Sequence, residues 1–290
     1  MKIESLINNP EYTQKFALEK FICYFLGLTR EDMRTQSNQE LTSDQENQII
    51  TAYKSYVIDK KPIEYVLWFV EFFGTKFHVN GDTLIPRPET EYMITAVTEF
   101  CQENQKSDSI LLDVWTGCGV LGCSVLMQNP AAFKTVFLSD YSQEALIVAK
   151  HNYDKLIDAS KYDTYFIYSD LVAYLENYTD LVQNKDIVLV ANLPYIPEKT
   201  HDDNNPESVK KREPRMAFVW WDDGLIYYRR MFNQIFQNKQ DWIITGEVVM
   251  FLEMMTRQVA LLVEEFGEKI QFEEVKTFHF NIRILKAILR

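Results

Sequence analysis

Beyond Glu89 the sequence alternates short apolar runs with amphipathic stretches, and this alternation constrains the fold more than any other feature. Apolar runs separated by helical stretches of this length are typical of βα units on a mostly parallel sheet. The sequence therefore predicts an α/β fold in this part of the chain. The candidate strands are 109–114, 135–140, 164–170, 186–193 and 242–249.

Polar residues stand at the ends of the first four candidate strands or soon after them, whereas no polar residue ends or closely follows the fifth. These residues are Asp113, Asp140, Asp170 and Asn192. In open α/β sheets, ligands bind in a crevice at the carboxyl ends of the strands. We therefore expect the four side chains to line a single crevice.

The residues before this alternation follow two other patterns. Apolar residues at three- and four-residue spacing near the start of the chain predict a small helical domain over 1–68. Gly74 and the Asn80–Gly81 pair are turn signals between short apolar runs, and they predict a β-hairpin connector over 69–86. The α/β domain then spans 87–290.

The charge and the composition exclude several functional classes. Thirty Lys and Arg against 42 Asp and Glu give a net charge of −12, which opposes non-specific binding to nucleic acid or to an anionic membrane. No apolar run approaches the roughly 18 residues of a membrane-spanning helix, and the first residues lack a signal-peptide pattern. Cys118 and Cys123 have no second pair of ligands at metal spacing. We expect a cytoplasmic monomer with no metal, membrane contact or direct nucleic-acid partner.

The segment Asp113–Gly122 (DVWTGCGVLG) closes a predicted strand, opens a helix and contains the pattern G-x-G-x-x-G. Asp140 follows Gly122 by 18 residues, close to the spacing of a ribose-binding acid in a dinucleotide fold. A nicotinamide dinucleotide is therefore one alternative. An acid four residues before the first glycine, here Asp113, is typical instead of loops that bind S-adenosylmethionine, and this alternative is favoured.

The tetrapeptide Asn192-Leu193-Pro194-Tyr195 follows the fourth strand and is similar to the (Asn/Asp/Ser)-Pro-Pro-aromatic motif of methyltransferases that act on planar nitrogens. The lone pair of such a nitrogen is delocalised, and acceptors for both N–H groups let the nitrogen pyramidalise toward the methyl group. The Asn192 side-chain oxygen and the Leu193 carbonyl are the predicted acceptors. Pro194 stiffens the turn, and Tyr195 offers a ring face. An ordinary strand followed by an X-Pro turn is the alternative.

With these motifs the chain resembles the HemK/PrmC family, the glutamine N5-methyltransferases of peptide-chain release factors. The most specific match is the segment Leu84–Glu91 (LIPRPETE), which is nearly identical to a family signature. Shorter matches occur in the same order as in the family. They are Pro62–Leu67, Glu71–Val79, Ser139–Asp140, Ser169–Leu171, Asn192–Pro197, Glu213–Arg215 and Asp223–Leu225.

The resemblance implies a class I S-adenosylmethionine-dependent methyltransferase with a seven-stranded, mostly parallel Rossmann-like sheet. It implies that the helical domain grips the release factor and that Asn192–Tyr195 hold the glutamine. Arg87, Pro88 and Glu89 would border the glutamine pocket, although a structural ion pair is the alternative for Arg87 and Glu89. The implied cofactor residues are Asp113, Trp115, Thr116, Gly117, Cys118, Gly119, Asp140 on the ribose hydroxyls, Asp170 and Leu171 beside the adenine, and Asn192.

The sequence departs from the family in two ways. Leu193 replaces the first proline of the acceptor motif, and the sequence NLPY also occurs in adenine N6-methyltransferases of ribosomal RNA. Methylation of adenine in RNA or DNA is therefore a second candidate function. Those enzymes are usually basic and lack the Leu84–Glu91 signature, whereas this chain is acidic and has it.

The second departure concerns the five tryptophans, which all fall where the family typically has glycine. They are Trp68, Trp115, Trp220, Trp221 and Trp242. The chain has nine glycines, where average usage near 7% predicts about 20. Our hypothesis is that UGA codons read as glycine have been translated as tryptophan. If Trp115 is genuine, its bulk inside the cofactor loop makes a cofactor-less binding protein a third candidate.

Overall fold

The computed structural model describes residues 1–197, 212–214, 219–220, 223–275, 277 and 281–290. These residues form two compact units. One is Met1–Phe69 together with Arg212, and the other contains the remaining described residues from Val70 onward. Each unit has its own cluster of buried apolar side chains.

Helices form the first unit between Met1 and Phe69. They are α1 (Ile3–Asn8), α2 (Lys15–Leu26), α3 (Arg30–Thr35), α4 (Ser43–Val57) and α5 (Ile63–Leu67). Capping boxes at Thr29 and Thr42 begin α3 and α4, because each threonine side chain accepts a backbone hydrogen bond from the first helical turn. Leu18, Phe21 and Ile22 of α2 are buried in the core of this unit, as the apolar spacing predicts.

A two-stranded sheet follows, formed by β1 (Phe69–Phe72) and β2 (Thr75–His78). Phe73 and Gly74 connect the strands, and both have positive φ, 46° and 74°. Positive φ at both central residues is what a type I′ turn requires. The predicted hairpin is therefore confirmed.

The second unit contains a sheet of seven strands among its described residues, in the order β10-β11-β9-β6-β3-β4-β5. The five strands from β9 to β5 in this order are parallel to their neighbours, and β11 is antiparallel to both β9 and β10. This sheet confirms the predicted fold class. The strands are β3 (Ser109–Val114), β4 (Phe133–Asp140), β5 (Asp163–Tyr168), β6 (Ile187–Ala191), β9 (Val248–Met255), β10 (Ile270–Val275) and β11 (Ile282–Leu289), while β7 (Ile196–Pro197) and β8 (Val219–Trp220) form a separate pair.

Helices connect the strands of the second unit. They are α6 (Glu91–Glu103), α7 (Val120–Gln128), α8 (Gln143–Leu156), α9 (Thr179–Val182), α10 (Ile226–Gln240) and α11 (Thr256–Phe266), with 3-10 turns at Pro88–Thr90, Ala159–Lys161 and Ala173–Tyr178. Every residue of β3 and β6 is buried, which explains their largely apolar sequences. The chain order reverses between these two strands, and such a switch point opens a crevice at the carboxyl ends.

Four of the five predicted strands correspond to observed strands, and the one over 109–114 has the predicted bounds. The prediction over 242–249 is wrong, because that strand runs from Val248 to Met255. Residues 242–247 instead connect α10 to β9. The side-chain-free Gly246 packs there against the carbonyl of Lys185, where a Cβ would overlap. None of the described helices is long and apolar enough to cross a membrane.

Candidate active site

A cavity of about 720 Å³ lies at the carboxyl ends of the parallel strands, near the switch point between β3 and β6. Its size is within the range of small-molecule sites. Of the ten predicted cofactor residues, those lining the cavity are Trp115, Thr116, Gly117, Cys118, Asp140 and Asn192. The structure therefore brings the loop after β3, the acid after β4 and the amide after β6 to one space.

The segment Asp113–Gly122, here named the cofactor loop, turns sharply between β3 and α7. Gly117 and Gly119 have φ of 55° and 79°, a left-handed conformation that side chains disfavour. A Cβ at Gly119 would also lie 3.2 Å from Ala149 of α8. The Thr116 N–H donates to the carbonyl of Ser139 at 2.9 Å, which attaches the loop to β4.

Asp113 lies beneath the cofactor loop and has no exposed surface. Its Oδ2 accepts hydrogen bonds from Thr116 Oγ1 at 2.5 Å and from the Gly122 N–H at 2.8 Å. Burial raises the pKa of this carboxyl to about 7, against the effect of these hydrogen bonds. The expectation that Asp113 lines the crevice is therefore wrong, because the side chain is used to hold the loop from below.

Asp140 ends β4 and forms part of the cavity wall. Its Oδ2 accepts from the Gly117 N–H at 2.8 Å, and its Oδ1 accepts from the Ser142 N–H at 3.0 Å. Burial raises the pKa of Asp140 to about 6, while these backbone donors favour the ionised form. The exposed rings of Tyr141 and Tyr168 stack nearby, with 5.7 Å between their centroids. A carboxylate beside aromatic rings suits a ribose with its base.

Gly119, Asp170 and Leu171 are not among the described residues that line the cavity, so the expectation that Asp170 lines the crevice is also wrong. Leu171 is buried and has a φ of 55°, which is unusual for a branched side chain. Gln234 of α10 holds the backbone on both sides of it. Its Oε1 accepts from the Val172 N–H at 3.0 Å, and its Nε2 donates to the Asp170 carbonyl at 3.3 Å. Gln234 was not predicted as a site residue; it is half-buried on α10, which also supplies core residues such as Met231 and Phe232.

Trp115 is the one residue of the cofactor loop that does not suit its position. Its φ is 64°, and its ring lines the cavity. The ring stacks on Tyr141 at a centroid distance of 6.3 Å and contacts Tyr227 at 4.8 Å. A bulky residue with positive φ is a conformational outlier, so the backbone here has the shape that glycine adopts without strain.

Two further tryptophans stand in left-handed positions at helix ends. Trp68 follows α5 with a φ of 62°, and Trp242 follows α10 with a φ of 60°. Both side chains are exposed, by 52% and 74%, so packing does not explain the conformation. Helices commonly end on a left-handed glycine. These angles support glycine at three of the five positions, whereas the Trp220 side chain and Trp221 lie outside the described part of the chain.

The ends of α2 and α10 have the same hydrogen-bond pattern but different residues at the left-handed position. At α2, the Gly27 N–H donates to Tyr24 and the next N–H donates to Cys23, at 3.3 and 2.9 Å. At α10, the Trp242 N–H donates to Lys239 and the next N–H donates to Asn238, at 3.2 and 2.9 Å. Both are Schellman motifs with the same spacing of donors and acceptors. One has glycine at the left-handed position and the other has tryptophan.

The segment Asn192–Tyr195, here named the acceptor segment, follows β6, and of its four residues Asn192 lines the cavity. Asn192 Nδ2 donates to Thr90 Oγ1 at 3.3 Å, and the Tyr195 hydroxyl donates to Glu253 Oε1 at 2.9 Å. The Tyr195 carbonyl accepts from Gln258 Nε2 at 2.8 Å. The structure thus places the predicted catalytic residues together with three residues that the sequence analysis did not assign to the site.

Arg87 forms an ion pair with Glu213, and the distances from its Nη2 to the two carboxylate oxygens are 2.9 and 3.0 Å. The Glu213 side chain is almost fully buried and also accepts from the Ile85 N–H at 3.3 Å. Arg87 therefore makes a structural ion pair, which was the alternative to substrate contact for this residue. Substrate contacts by Pro88 and Glu89 stay predictions.

The residues around the cavity fit S-adenosylmethionine except at Trp115. Asp140 offers a buried acceptor, Gly117 permits close approach of the backbone, and Tyr141 offers an aromatic face. Among the described residues, no group of three or more His, Cys, Asp or Glu could hold a metal ion. An indole in the cavity is the single feature that opposes a nucleoside.

Solved structures with a similar fold include methyltransferases. The catalytic domain of hMettl16 in complex with an RNA hairpin has a TM-score of 0.56 and 13% identity, and the match covers 97% of this chain and 92% of that one. The N-terminal domain of human METTL16 in complex with SAH has a TM-score of 0.50 and 11% identity, and the match covers 97% of each chain. At these identities the likeness shows the fold alone. No family model matches the chain.

Curated relatives are more closely similar in sequence. The release factor glutamine methyltransferase of Bacillus cereus is 32% identical over 218 residues, which cover 75% of this chain and 73% of the relative. That of Bacillus subtilis is 31% identical over 224 residues, which cover 76% and 73%. These matches confirm an S-adenosylmethionine-dependent methyltransferase and not a dinucleotide-dependent enzyme. The chain belongs to the family of release factor glutamine methyltransferases.

Proposed function

We propose that the protein methylates the side-chain amide nitrogen of a glutamine in a peptide-chain release factor, and that the acceptor segment holds this amide. The observation that carries the proposal is that Asn192 shares one cavity with Gly117 and Asp140. An amide bound at Asn192 would therefore lie beside the cofactor. The names of the relatives supply the class of substrate.

The cofactor supplies an electrophilic methyl group, and the residues of this chain position its acceptor. Asn192 Oδ1 and the Leu193 carbonyl would accept the two N–H bonds of the glutamine amide. Both acceptors lie where charge develops as the nitrogen loses its conjugation, so they stabilise the transition state more than the ground state. Pro194 and the buried Leu193 restrict the backbone of this turn. The reaction then depends mainly on proximity and orientation.

Asp140 and the cofactor loop would bind the nucleoside part of the cofactor. The carboxylate of Asp140 would accept from the ribose hydroxyls, and the Asp170–Leu171 segment would approach the adenine. Gln234 supports that segment on both sides of Leu171. Asp113 would act through the loop and not by direct contact.

The remaining parts of the proposal concern the partner and the setting. The helical residues 1–68 would recognise the release factor, 69–86 would connect, and 87–290 would carry the methyltransferase site. The protein would act as a monomer in the cytoplasm. The net charge of −12 supports a protein substrate over a nucleic-acid one.

Methyl transfer from labelled S-adenosylmethionine to a purified release factor tests the function. The protein is assayed in two forms, one with its five tryptophans and one with glycine at those positions. A release factor whose target glutamine is replaced is the control substrate. We expect transfer that disappears with the glutamine. Absence of transfer from a folded protein that binds the cofactor would contradict the proposal, and transfer to ribosomal RNA would favour the adenine N6-methyltransferase alternative.

A further inference from the structure

Glu253 is a buried acid on β9, with 1% of its surface exposed, and the proposed mechanism so far gives it no role. In the parallel register of β6 and β9, Leu252 lies opposite Ala191, which brings Glu253 next to Asn192. An acid in such a place is costly unless donors surround it. Its carboxylate accepts from Thr90 Oγ1 at 2.6 Å and from the Tyr195 hydroxyl at 2.9 Å.

The direction of these hydrogen bonds fixes the orientation of the Asn192 amide. A carboxylate only accepts, so Thr90 must donate its single hydroxyl hydrogen to Glu253. Thr90 Oγ1 can then only accept from Asn192, which lies 3.3 Å away, and the amide nitrogen of Asn192 must point toward it. The side-chain oxygen of Asn192 is thereby left to accept an N–H from a bound amide.

Burial raises the pKa of Glu253, and hydrogen bonds from Thr90, Tyr195 and Asn192 oppose this by favouring the ionised form. Two of these donors, Tyr195 and Asn192, belong to the acceptor segment. The same acid also fixes the ring of Tyr195 through its hydroxyl. Gln258 holds the other end of that residue, because its Nε2 donates to the Tyr195 carbonyl.

We propose that Glu253 is a positioning residue for the methyl acceptor: by accepting from Asn192 and through Thr90 it sets which end of the Asn192 amide faces the substrate, and directly it fixes the ring of Tyr195. This inference rests on the proposed function of the acceptor segment. The relay has a defined polarity, since each hydroxyl or amide group donates toward the acid. The variant Glu253→Gln keeps nearly the same side-chain shape but can also donate, so it would permit the relay to reverse.

Steady-state kinetics on the full chain test the relay. The variants are made in the parent protein that transfers methyl groups, with either tryptophan or glycine at the five tryptophan positions. Thr90→Val removes the hydroxyl at nearly constant shape, and Glu253→Gln removes the charge. We expect each to lower kcat about tenfold to a hundredfold, because misplaced acceptors cost this much, with the Kd of S-adenosylmethionine unchanged within about twofold. Thr90→Ser keeps the hydroxyl and is expected to restore most of the loss. Thr95→Val, on the exposed face of α6, is the matched control for a threonine change.

Two outcomes would overturn the relay. One is a kcat for Thr90→Val equal to that of the parent, and the other is an equal loss in Thr90→Val and Thr90→Ser. Thermal melting of each variant shows whether a loss comes from unfolding.

A second measurement separates the relay from the proposed function. The side-chain amide hydrogens of Asn192, observed by NMR in labelled protein, are expected to exchange slowly in the parent and in Thr90→Ser. They are expected to exchange at least about tenfold faster in Thr90→Val, because the amide loses the Thr90 acceptor and keeps only Glu253. If the parent methylates no release factor but these rates change as expected, the proposed function fails and the relay stands. If the rates are the same in all three proteins, the relay fails.

Discussion

The cofactor loop and the acceptor segment follow neighbouring parallel strands and border the same cavity, but different parts of the chain hold them. The cofactor loop is shaped mainly by its own backbone, with left-handed residues at 115, 117 and 119 and a hydrogen bond from Thr116 to Asp113, and its contacts with β4 reach only 23 residues along the chain. The acceptor segment is held by side chains that lie 58 to 102 residues away in sequence.

This difference determines how each region can fail. A loop shaped by its backbone tolerates few side chains, so one bulky residue such as Trp115 can obstruct the site without breaking any hydrogen bond. A segment held by a network tolerates local substitution better, as the replacement of a family proline by Leu193 illustrates. It depends instead on distant residues that keep Asn192 and Tyr195 oriented.

The largest expected effect is on the acceptor segment itself. Asn192→Ala removes one of two acceptors for the substrate amide, and we expect methyl transfer to fall about a hundredfold or more. The Kd of S-adenosylmethionine, measured by calorimetry, should change much less. Asn104→Ala at the exposed end of α6 is the control. Equal losses of binding and transfer would show that Asn192 serves the cofactor and not the acceptor.

The next effect concerns the cofactor loop. Trp115→Gly removes the indole from the cavity and relieves the left-handed strain, and we expect the Kd of S-adenosylmethionine to fall by more than about tenfold, or about 1.4 kcal/mol. Trp242→Gly removes an equally left-handed tryptophan at an exposed position and should leave this Kd unchanged. Unchanged binding in Trp115→Gly would contradict the hypothesis that glycine belongs at this position.

The same contrast explains what the sequence could predict. The cofactor loop is encoded within ten residues, and the strand before it has the predicted bounds, so its position in the fold was accessible. The residues that support the acceptor segment could not be predicted in the same way. The last predicted strand began six residues too early and ended before Glu253, which lies near the end of β9. A signal was present: Glu253 is the only charged residue in the run Val248–Met255, and a lone acid in a buried strand needs partners.

Asp140 provides a pH test of the cofactor loop. Its pKa is raised to about 6 by burial, so the group is ionised at pH 7 and ready to accept from the ribose. Below this pKa the proton must leave before the cofactor binds. We expect affinity for S-adenosylmethionine to fall about tenfold at pH 5 relative to pH 7. Calorimetry across this range checks it.

The control is Asp140→Asn, which should bind more weakly at pH 7 and show a flatter pH dependence. The contribution of Asp140 to folding stability, measured as the difference between the parent and Asp140→Asn, should change in the opposite direction. Because the folded pKa is raised above the ordinary value of 3.8, the contribution of Asp140 to stability is complete below that value and is lost as the pH rises through about 6. Asp113, with a pKa of about 7, adds a change of the same sign. A stability difference between the parent and Asp140→Asn that stays constant as the pH falls from 7 to 5 would contradict this assignment.

The smallest effect concerns the left-handed positions at the ends of α2 and α10. Glycine can be removed from the first and introduced at the second. Trp242→Gly should raise the free energy of unfolding by about 1 kcal/mol, because a left-handed conformation costs side-chain-bearing residues about 1 to 2 kcal/mol. Gly27→Ala should lower it by a similar amount, since open space at Gly27 leaves the backbone conformation as the only cost. Urea unfolding measures both. A stable Gly27→Ala beside an unimproved Trp242→Gly would show that helix ends in this chain do not select glycine, and the hypothesis of recoded codons would then depend on Trp115 alone.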